Sequence, residues 1–351
     1  MYTDYQFYQE FKNKRGFTFC HVPQHRGKRY AVTFLLGLKP EWRNRYSKRW
    51  LNKSLKEYRP GIVYTMFYSV ECLKYAYWVA NCYNAKLISH IADDPFGEEI
   101  DRDIKNIIQN SNDRFAISKM SAIHYNKMFD CEFKVFHNGP TAKFFENRHK
   151  NRSESKKFLI RFIGNYYKFV HEDAVDDLMN IIQRLNLKHK FNICLEFWGG
   201  EFPHSSLQKK CITSEISFMG RFNEKNSTHL HFEADLLFLP ASFNKNSVDH
   251  YRFSFPTKLT EYLATKIPTL IYSPKETSFY DYCKTNNLGI LVGENKKNIL
   301  EEKLLDIILN YKFYEKNAIK NSNFIFENEH ANQIKKRFQD TLLAKNKNDG
   351  N

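Results

Sequence analysis

Two α/β domains of the Rossmann kind, facing a cleft, are what this 351-residue sequence predicts, on three observations. Apolar runs of strand length alternate with helical stretches from residue 62 to residue 137. A polar stretch without periodicity follows, and a second alternating series then runs from residue 158 to residue 292. Strands separated by helices imply parallel sheets with crossover connections, and two such series imply two sheets.

In the first series, Ile62-Val63-Tyr64 reads as a short buried strand after the turn Arg59-Pro60-Gly61. A helix over 69–83, a strand over 86–90, a loop at Asp93-Asp94-Pro95-Phe96-Gly97 and a helix over 98–110 follow. The strand Phe115-Ala116-Ile117-Ser118, a helix over 119–129 and a strand over 133–137 close the series. The linker is residues 138–157, opened by Asn138-Gly139-Pro140 and rich in Lys, Arg, Glu and Asn. The second series has strands at 158–163, 192–198, 216–219, 235–240, 269–272 and 289–292. Its helices fall at 172–185, 228–233, 258–265, 278–286 and 298–310, with a last helix near 330–345 and a polar tail. The domains therefore span 1–145 and 158–328, with 329–345 as a terminal helix packing back toward the first.

With 42% hydrophobic residues the chain is globular, and its longest apolar runs, such as Leu236-Leu237-Phe238-Leu239, are far short of a bilayer span. The polar, aromatic start shows no secretory signal. Seven scattered cysteines without ligand spacing read as reduced thiols in a cytoplasm. The net charge of +15 is uneven: residues 1–60 carry fourteen Lys/Arg against four acids, a net +10. Such an end seeks a polyanion, a nucleic acid or an anionic membrane. Over 41–58 the spacing of Trp42, Tyr46 and Trp50 is helical. That stripe fits a lipid-headgroup interface and fits equally a helix packed on its own core.

In a doubly wound sheet, ligands bind beyond the carboxyl ends of the strands. Phe162-Ile163-Gly164-Asn165, Phe197-Trp198-Gly199-Gly200 and Gly220-Arg221 are strand ends of this type. The most specific segment is Ser254-Phe255-Pro256-Thr257-Lys258-Leu259-Thr260-Glu261-Tyr262-Leu263-Ala264, followed by Lys266-Ile267-Pro268. Its proline precedes a helix whose first-turn amides, with Thr257 and Lys258, suit a diphosphate. Glu261, one turn later, suits a ribose diol; a plain helix start with surface charges explains the same residues.

The run from Pro256 to Ala264 with Pro268 resembles the donor-site signature of glycosyltransferase family 4, the retaining GT-B enzymes of bacterial cell-surface polysaccharide synthesis. Other segments resemble that family in its order: Phe115-Ala116-Ile117-Ser118 through Val135-Phe136-His137-Asn138-Gly139, Phe162-Ile163-Gly164, Trp198-Gly199-Gly200, Phe218-Met219-Gly220-Arg221, and Ala234-Asp235-Leu236-Leu237-Phe238-Leu239-Pro240-Ala241-Ser242. The resemblance covers roughly residues 59 to 345. It implies a GT-B fold, a C-terminal domain binding a UDP- or GDP-linked sugar, and an N-terminal domain binding a glycan or lipid-linked acceptor. The donor-binding residues it implies are Gly164, Asn165, Lys168, Gly199, Arg221, Pro256, Thr257, Lys258, Leu259 and Glu261. Of these, Glu261 would hold the ribose, and Lys258, Lys168 and Arg221 would face the phosphates. Cationic stabilisation of a departing diphosphate is then the largest catalytic term, and no metal or other cofactor is implied. The family places a histidine like His90 near the reacting sugar, so His90, Asp93 and Asp94 are the catalytic candidates; a backbone-bonded histidine and loop-capping aspartates are the alternatives.

The chain departs from the family at three places. Phe253 stands where a glutamate often lies eight positions before Glu261, and Asp249 is out of register. Asn165 and Lys168 replace the usual Arg and Lys after the first strand of the C-terminal domain. The family's opening strand and glycine-rich loop are not found before Gly16, and Phe17–Val22 resembles a later strand; a truncated N-terminal domain, with loss of activity, and a compact one are both open. Asp101-Arg102-Asp103 copies a metal triplet, yet positions i and i+2 of a helix diverge, and His229-Leu230-His231 has the same fault.

The resemblance thus implies a retaining glycosyltransferase of lipopolysaccharide, O-antigen or capsule synthesis. It would be cytoplasmic, resting on the anionic inner face of the plasma membrane through its basic N-terminal region. A GT-B nucleotide-sugar epimerase and a basic nucleic-acid-binding protein are the alternatives; no nucleic-acid-binding motif is present.

Overall fold

A computed structural model describes residues 60–67, 69–92, 94, 96, 100–146, 157–200, 215–222 and 227–344. The basic N-terminal region, its 41–58 helix, the strand at 17–22 and Asp93 lie outside these residues. The chain packs as two units, Met1–Ile91 with Pro95–Arg114, and Ala92–Asp94 with Phe115–Asn351.

In the first unit, strand β1 (Ile62–Phe67) pairs in parallel with β2 (Lys86–Ile91) through helix α1 (Val70–Tyr83). Ser69 caps α1 by accepting from the Cys72 amide, and Asn84 ends it in the left-handed region. β1 is not the buried strand that its apolar start predicts: Ile62 and Tyr64 are exposed, and among the described residues β1 has a neighbour on one side only. Helix α2 spans Arg102–Gln109, and Asp101 is its N-cap, accepting from the Asp103 amide. The Asp-x-Asp triplet is therefore a helix start. Strands β3 (Asp113–Ala116) and β4 (Lys134–Val135) pair in parallel around helix α3 (Lys119–Phe129), and the sheet order is β1-β2-β3-β4; from Phe115 onward these residues belong to the second unit.

The second unit holds a six-stranded sheet of β5 (Phe158–Ile163), β6 (Ile193–Trp198), β7 (Ile216–Gly220), β8 (Leu236–Pro240), β9 (Thr269–Tyr272) and β10 (Ile290–Val292). Its order is β10-β9-β8-β5-β6-β7, and every pairing is parallel. β5 and β8 are central and buried along their whole length, as their near-continuous apolar runs require. The chain winds outward from β5 to β7, then returns to β8 and winds the other way. The topological switch point, where doubly wound sheets bind ligands, is thus between β5 and β8.

Two apolar layers cover the sheet. Phe158, Ile160 and Phe162 pack with helices α4 (Lys168–His189) and α9 (Lys297–Leu309), whereas Ile163, Leu237, Leu239 and Ile271 pack with α7 (Thr257–Ala264) and α8 (Ser278–Asn286). Short helices α5 (Ser227–Phe232) and α6 (Lys245–Tyr251) lie between strands, and α10 (Tyr311–Glu329) and α11 (Ala331–Ala344) end the fold. Neither α6 nor α10 is predicted by the apolar periodicity. His231 of α5 is buried against Phe144 and Tyr262, a packing role. Residues 115–146 pack with this unit: the Ser118 hydroxyl donates to the Phe253 carbonyl at 3.1 Å, and His137 stacks on Phe255 with centroids 4.3 Å apart. Among the described residues no helix is long and apolar enough to cross a membrane.

Candidate functional site at the carboxyl ends of the second sheet

The site begins with three strand ends tied together by backbone. The Gly164 amide donates to the Trp198 carbonyl at 2.7 Å, and the Gly199 amide to the Gly220 carbonyl at 2.9 Å. Gly199 lies so close to the first turn that a Cβ on it would meet the Gly164 carbonyl at 2.1 Å. The Asn165 side chain closes the gap by accepting from the Gly200 amide at 3.3 Å. Gly164 itself has φ +133°, a conformation that side-chain-bearing residues rarely adopt. The carboxyl ends of β5, β6 and β7 therefore form one shallow edge in which backbone is bare.

Lys258 reaches onto that edge. It sits in the first turn of α7, whose N-cap Pro256 makes no side-chain capping bond. Its aliphatic stem crosses Gly164, where a Cβ would meet Cδ and Cε at 2.9 Å. Its Nζ lies 4.1 Å from the ring centroid of Phe162, the last residue but one of β5. That Nζ is buried, and among the described residues it has no hydrogen-bond partner. Burial pulls the amine down to about 7, against the attraction of Glu261. The ring face offsets a part of the lost hydration.

Tyr262, four residues after Lys258 and so on the same helix face, ties α7 to the end of β5. Its phenol donates to the Ile163 carbonyl at 2.9 Å and accepts from the Ile163 amide at 2.7 Å. Glu261 stands three residues after Lys258. It is half-buried, and among the described residues it forms no hydrogen bond or ion pair. Burial pushes its carboxyl up to about 7, against the pull of Lys258. Beneath the edge, His171 is buried, and its Nδ1 accepts from the Tyr167 amide at 3.0 Å. Burial first, and then the charge of Lys258, hold that imidazole well below its ordinary value, so it is neutral.

The other predicted residues divide. Gly164, Asn165, Gly199 and Lys258 meet at the strand ends, and Pro256, Thr257 and Glu261 share the start of α7, with Leu259 buried beneath it. Lys168 stands exposed in the first turn of α4, ion-paired to Glu172 at 3.5 Å. Arg221 is exposed just after β7. In the first unit, His90 is buried near the end of β2, and its Nδ1 is 2.7 Å from the Tyr64 hydroxyl. Asp94 is exposed. Among the described residues no group of His, Cys, Asp or Glu could hold a metal ion.

No protein-family model matches the chain, and no curated protein matches it in sequence. Solved structures do. Anabaena HepE in complex with UDP matches with a TM-score of 0.65 at 12% identity, over 85% of this chain and 82% of its own. The chain has the GT-B fold. A glycosyltransferase from Rickettsia africae matches with a TM-score of 0.62 at 13% identity, over 95% of this chain and 86% of its own. The lipopolysaccharide outer core galactosyltransferase WaaB, in its apo form, matches with a TM-score of 0.59 at 15% identity, over 88% and 82% of the two chains. At these identities the likeness is one of fold.

Tyr262 and His171 are the residues that sequence reading overlooks. The spacing of Lys258 and Tyr262 signals the first, since i and i+4 share a helix face. Nothing local signals the second.

Proposed function

We propose that the chain is a retaining glycosyltransferase whose second unit binds a nucleotide-diphospho-sugar donor. The observation that carries this reading is Lys258: a buried amine without a hydrogen-bond partner among the described residues, laid across a bare glycine beside the switch point of a doubly wound sheet. An amine in that state gains most from an anion, because a diphosphate restores both its hydrogen bonds and its charge partner. The uncapped first turn of α7 supplies further donors. Glu261 accepts from the ribose diol.

In the transfer itself, Lys258 stabilises the charge growing on the departing diphosphate, and the bare glycines let phosphate oxygens approach the backbone. A cation at the leaving group supplies part of what a metal supplies elsewhere. His90, Asp93 and Asp94 position the acceptor hydroxyl in this reading. The acceptor is a glycan or lipid-linked sugar of lipopolysaccharide, O-antigen or capsule. The work is done at the cytoplasmic face of the plasma membrane, which the basic residues 1–60 contact.

Thermal unfolding with UDP-, GDP- and CMP-sugars tests the proposal. A rise in midpoint with a UDP- or GDP-sugar, lost in Lys258→Met and reduced in Glu261→Ala, is expected. No rise with any nucleotide sinks the reading. Sugar turnover without an acceptor present would favour an epimerase instead.

A further inference from the structure

At the amino end of the second sheet, opposite its carboxyl-end site, three large apolar side chains stand in solvent: Leu187 is 84% exposed, Leu309 66% and Phe313 61%. They share one edge. Asn186, beside Leu187 near the end of α4, donates to the Ile193 carbonyl and accepts from the Ile193 amide, both at 2.9 Å, which pins that helix end to the start of β6. Ile193 pairs with Phe158, the first residue of β5, and the Phe158 ring meets Tyr311 edge-on with centroids 5.9 Å apart. Leu309 and Phe313 flank Tyr311, where α9 ends and α10 begins. The core beneath is filled by Leu185, Ile307 and Tyr311, which are buried, so the fold needs no apolar side chain at the three exposed positions.

Cations surround them. Over 186–190 and 309–316 the exposed charges are four lysines, Lys188, Lys190, Lys312 and Lys316, against one glutamate, Glu315. Residues 147–156, which lead into β5, are cationic too and include no apolar residue, so they offer no cover for the three side chains. A nucleic acid would answer the lysines and leave Leu187, Leu309 and Phe313 in water. A protein partner wants a contiguous apolar centre, and here lysines interrupt the apolar side chains. An anionic bilayer answers both features: separate apolar side chains enter below the headgroups, and the lysines meet the phosphates at the surface.

We propose that this edge is a docking surface for an anionic lipid bilayer, with Leu187, Leu309 and Phe313 inserted and the four lysines at the level of the lipid phosphates. It is separate from the contact made by residues 1–60 and does not depend on the nucleotide reading. The strand ends that hold Lys258 then face away from the bilayer.

Co-sedimentation of the full chain with vesicles of phosphatidylglycerol and phosphatidylcholine, and with phosphatidylcholine alone, tests it together with hydrogen–deuterium exchange mass spectrometry. Anionic vesicles should bind the chain and slow exchange over 186–190 and 309–316. Leu187→Asn, Leu309→Asn and Phe313→Asn together should weaken vesicle binding about tenfold or more. Lys188→Gln, Lys312→Gln and Lys316→Gln should weaken it about fivefold per lysine. Both variants should keep the wild-type melting midpoint, with or without UDP, because none of these side chains is buried. Unslowed exchange at the two segments overturns the inference, as does equal binding to neutral vesicles or undiminished binding in either variant. Slowing confined to residues 1–60 leaves that contact standing and overturns this one. A concentration-dependent dimer in ultracentrifugation, protected at the same segments without vesicles and lost in the apolar variant, overturns it in favour of a second copy of this chain. A missing UDP-induced rise in midpoint sinks the nucleotide reading alone.

Discussion

The Tyr262 phenol takes both the amide and the carbonyl of Ile163 as hydrogen-bond partners, at 2.7 and 2.9 Å. One side chain thereby fixes the distance between helix α7 and the end of strand β5. Burial pushes its ionisation far above the ordinary tyrosine value, so it remains a neutral hydroxyl. Tyr262→Phe should cost about 1–3 kcal/mol, since it strands two buried backbone groups. Urea unfolding measures that loss. If the phenol positions Lys258, nucleotide affinity should fall as well, beyond what the stability change explains.

Removing the amine should act in the opposite sense on stability. Lys258→Met keeps the stem over Gly164 and deletes a buried cation, so the unliganded protein should be no less stable than wild type. Nucleotide affinity should fall about tenfold to a hundredfold, the worth of charge-assisted hydrogen bonds. Calorimetric titration with UDP and with a UDP-sugar checks it; unchanged affinity would remove Lys258 from the site.

The pH dependence follows from the two shifted groups. Lys258 titrates at about 7 when folded against an ordinary 10.5, so above neutrality the unfolded chain binds the extra proton and stability rises with pH. Glu261 titrates at about 7 against an ordinary 4.5, so below neutrality the folded chain binds the extra proton and stability falls as pH rises. Their joint contribution has its minimum near neutrality. Subtracting the profile of the Lys258→Met, Glu261→Gln double variant from that of wild type should reveal this trough in urea midpoints. A diphosphate restores the charge on Lys258, so binding just above neutrality should take up protons, seen as a buffer-dependent enthalpy.

At Gly164 the prediction is steric. With φ at +133° and the lysine stem where a Cβ would stand, Gly164→Ala should cost about 1–3 kcal/mol in backbone strain. It should also push Lys258 off Phe162, so binding and stability should fail together. A variant that unfolds normally and binds UDP as wild type does would show that the edge is less tight than these distances state.

The parts of the fold legible in the sequence are those where one local rule suffices. α3 is bounded by Ser118, with its capping box, and by Asp130 in the left-handed region; β5 and β9 are short apolar runs between polar breaks. α10 escapes reading because its buried face includes Asn321, Ser322 and Glu329, polar residues that erase the apolar period. The Ser322 hydroxyl donates to the Ala264 carbonyl at 2.7 Å, a tertiary partner that no local window contains. The candidate site divides the same way. Lys258 and Glu261 stand in one contiguous run, whereas His171 and Gly199 come from other elements, far from that run in the chain.

The contacts of Ser118 and His137 bear on where this protein can be cut. Ser118 satisfies the Phe253 carbonyl, while His137 lies 3.6 Å from the Glu329 carboxylate as well as against Phe255. A fragment begun at the polar stretch before β5 would strip both supports from the loop that leads into Lys258. The smallest transplantable piece bearing these strand ends therefore begins near Phe115 and runs to Ala344. Chimeras that exchange second units between related chains should place their junction before Phe115 and not in the polar stretch before β5.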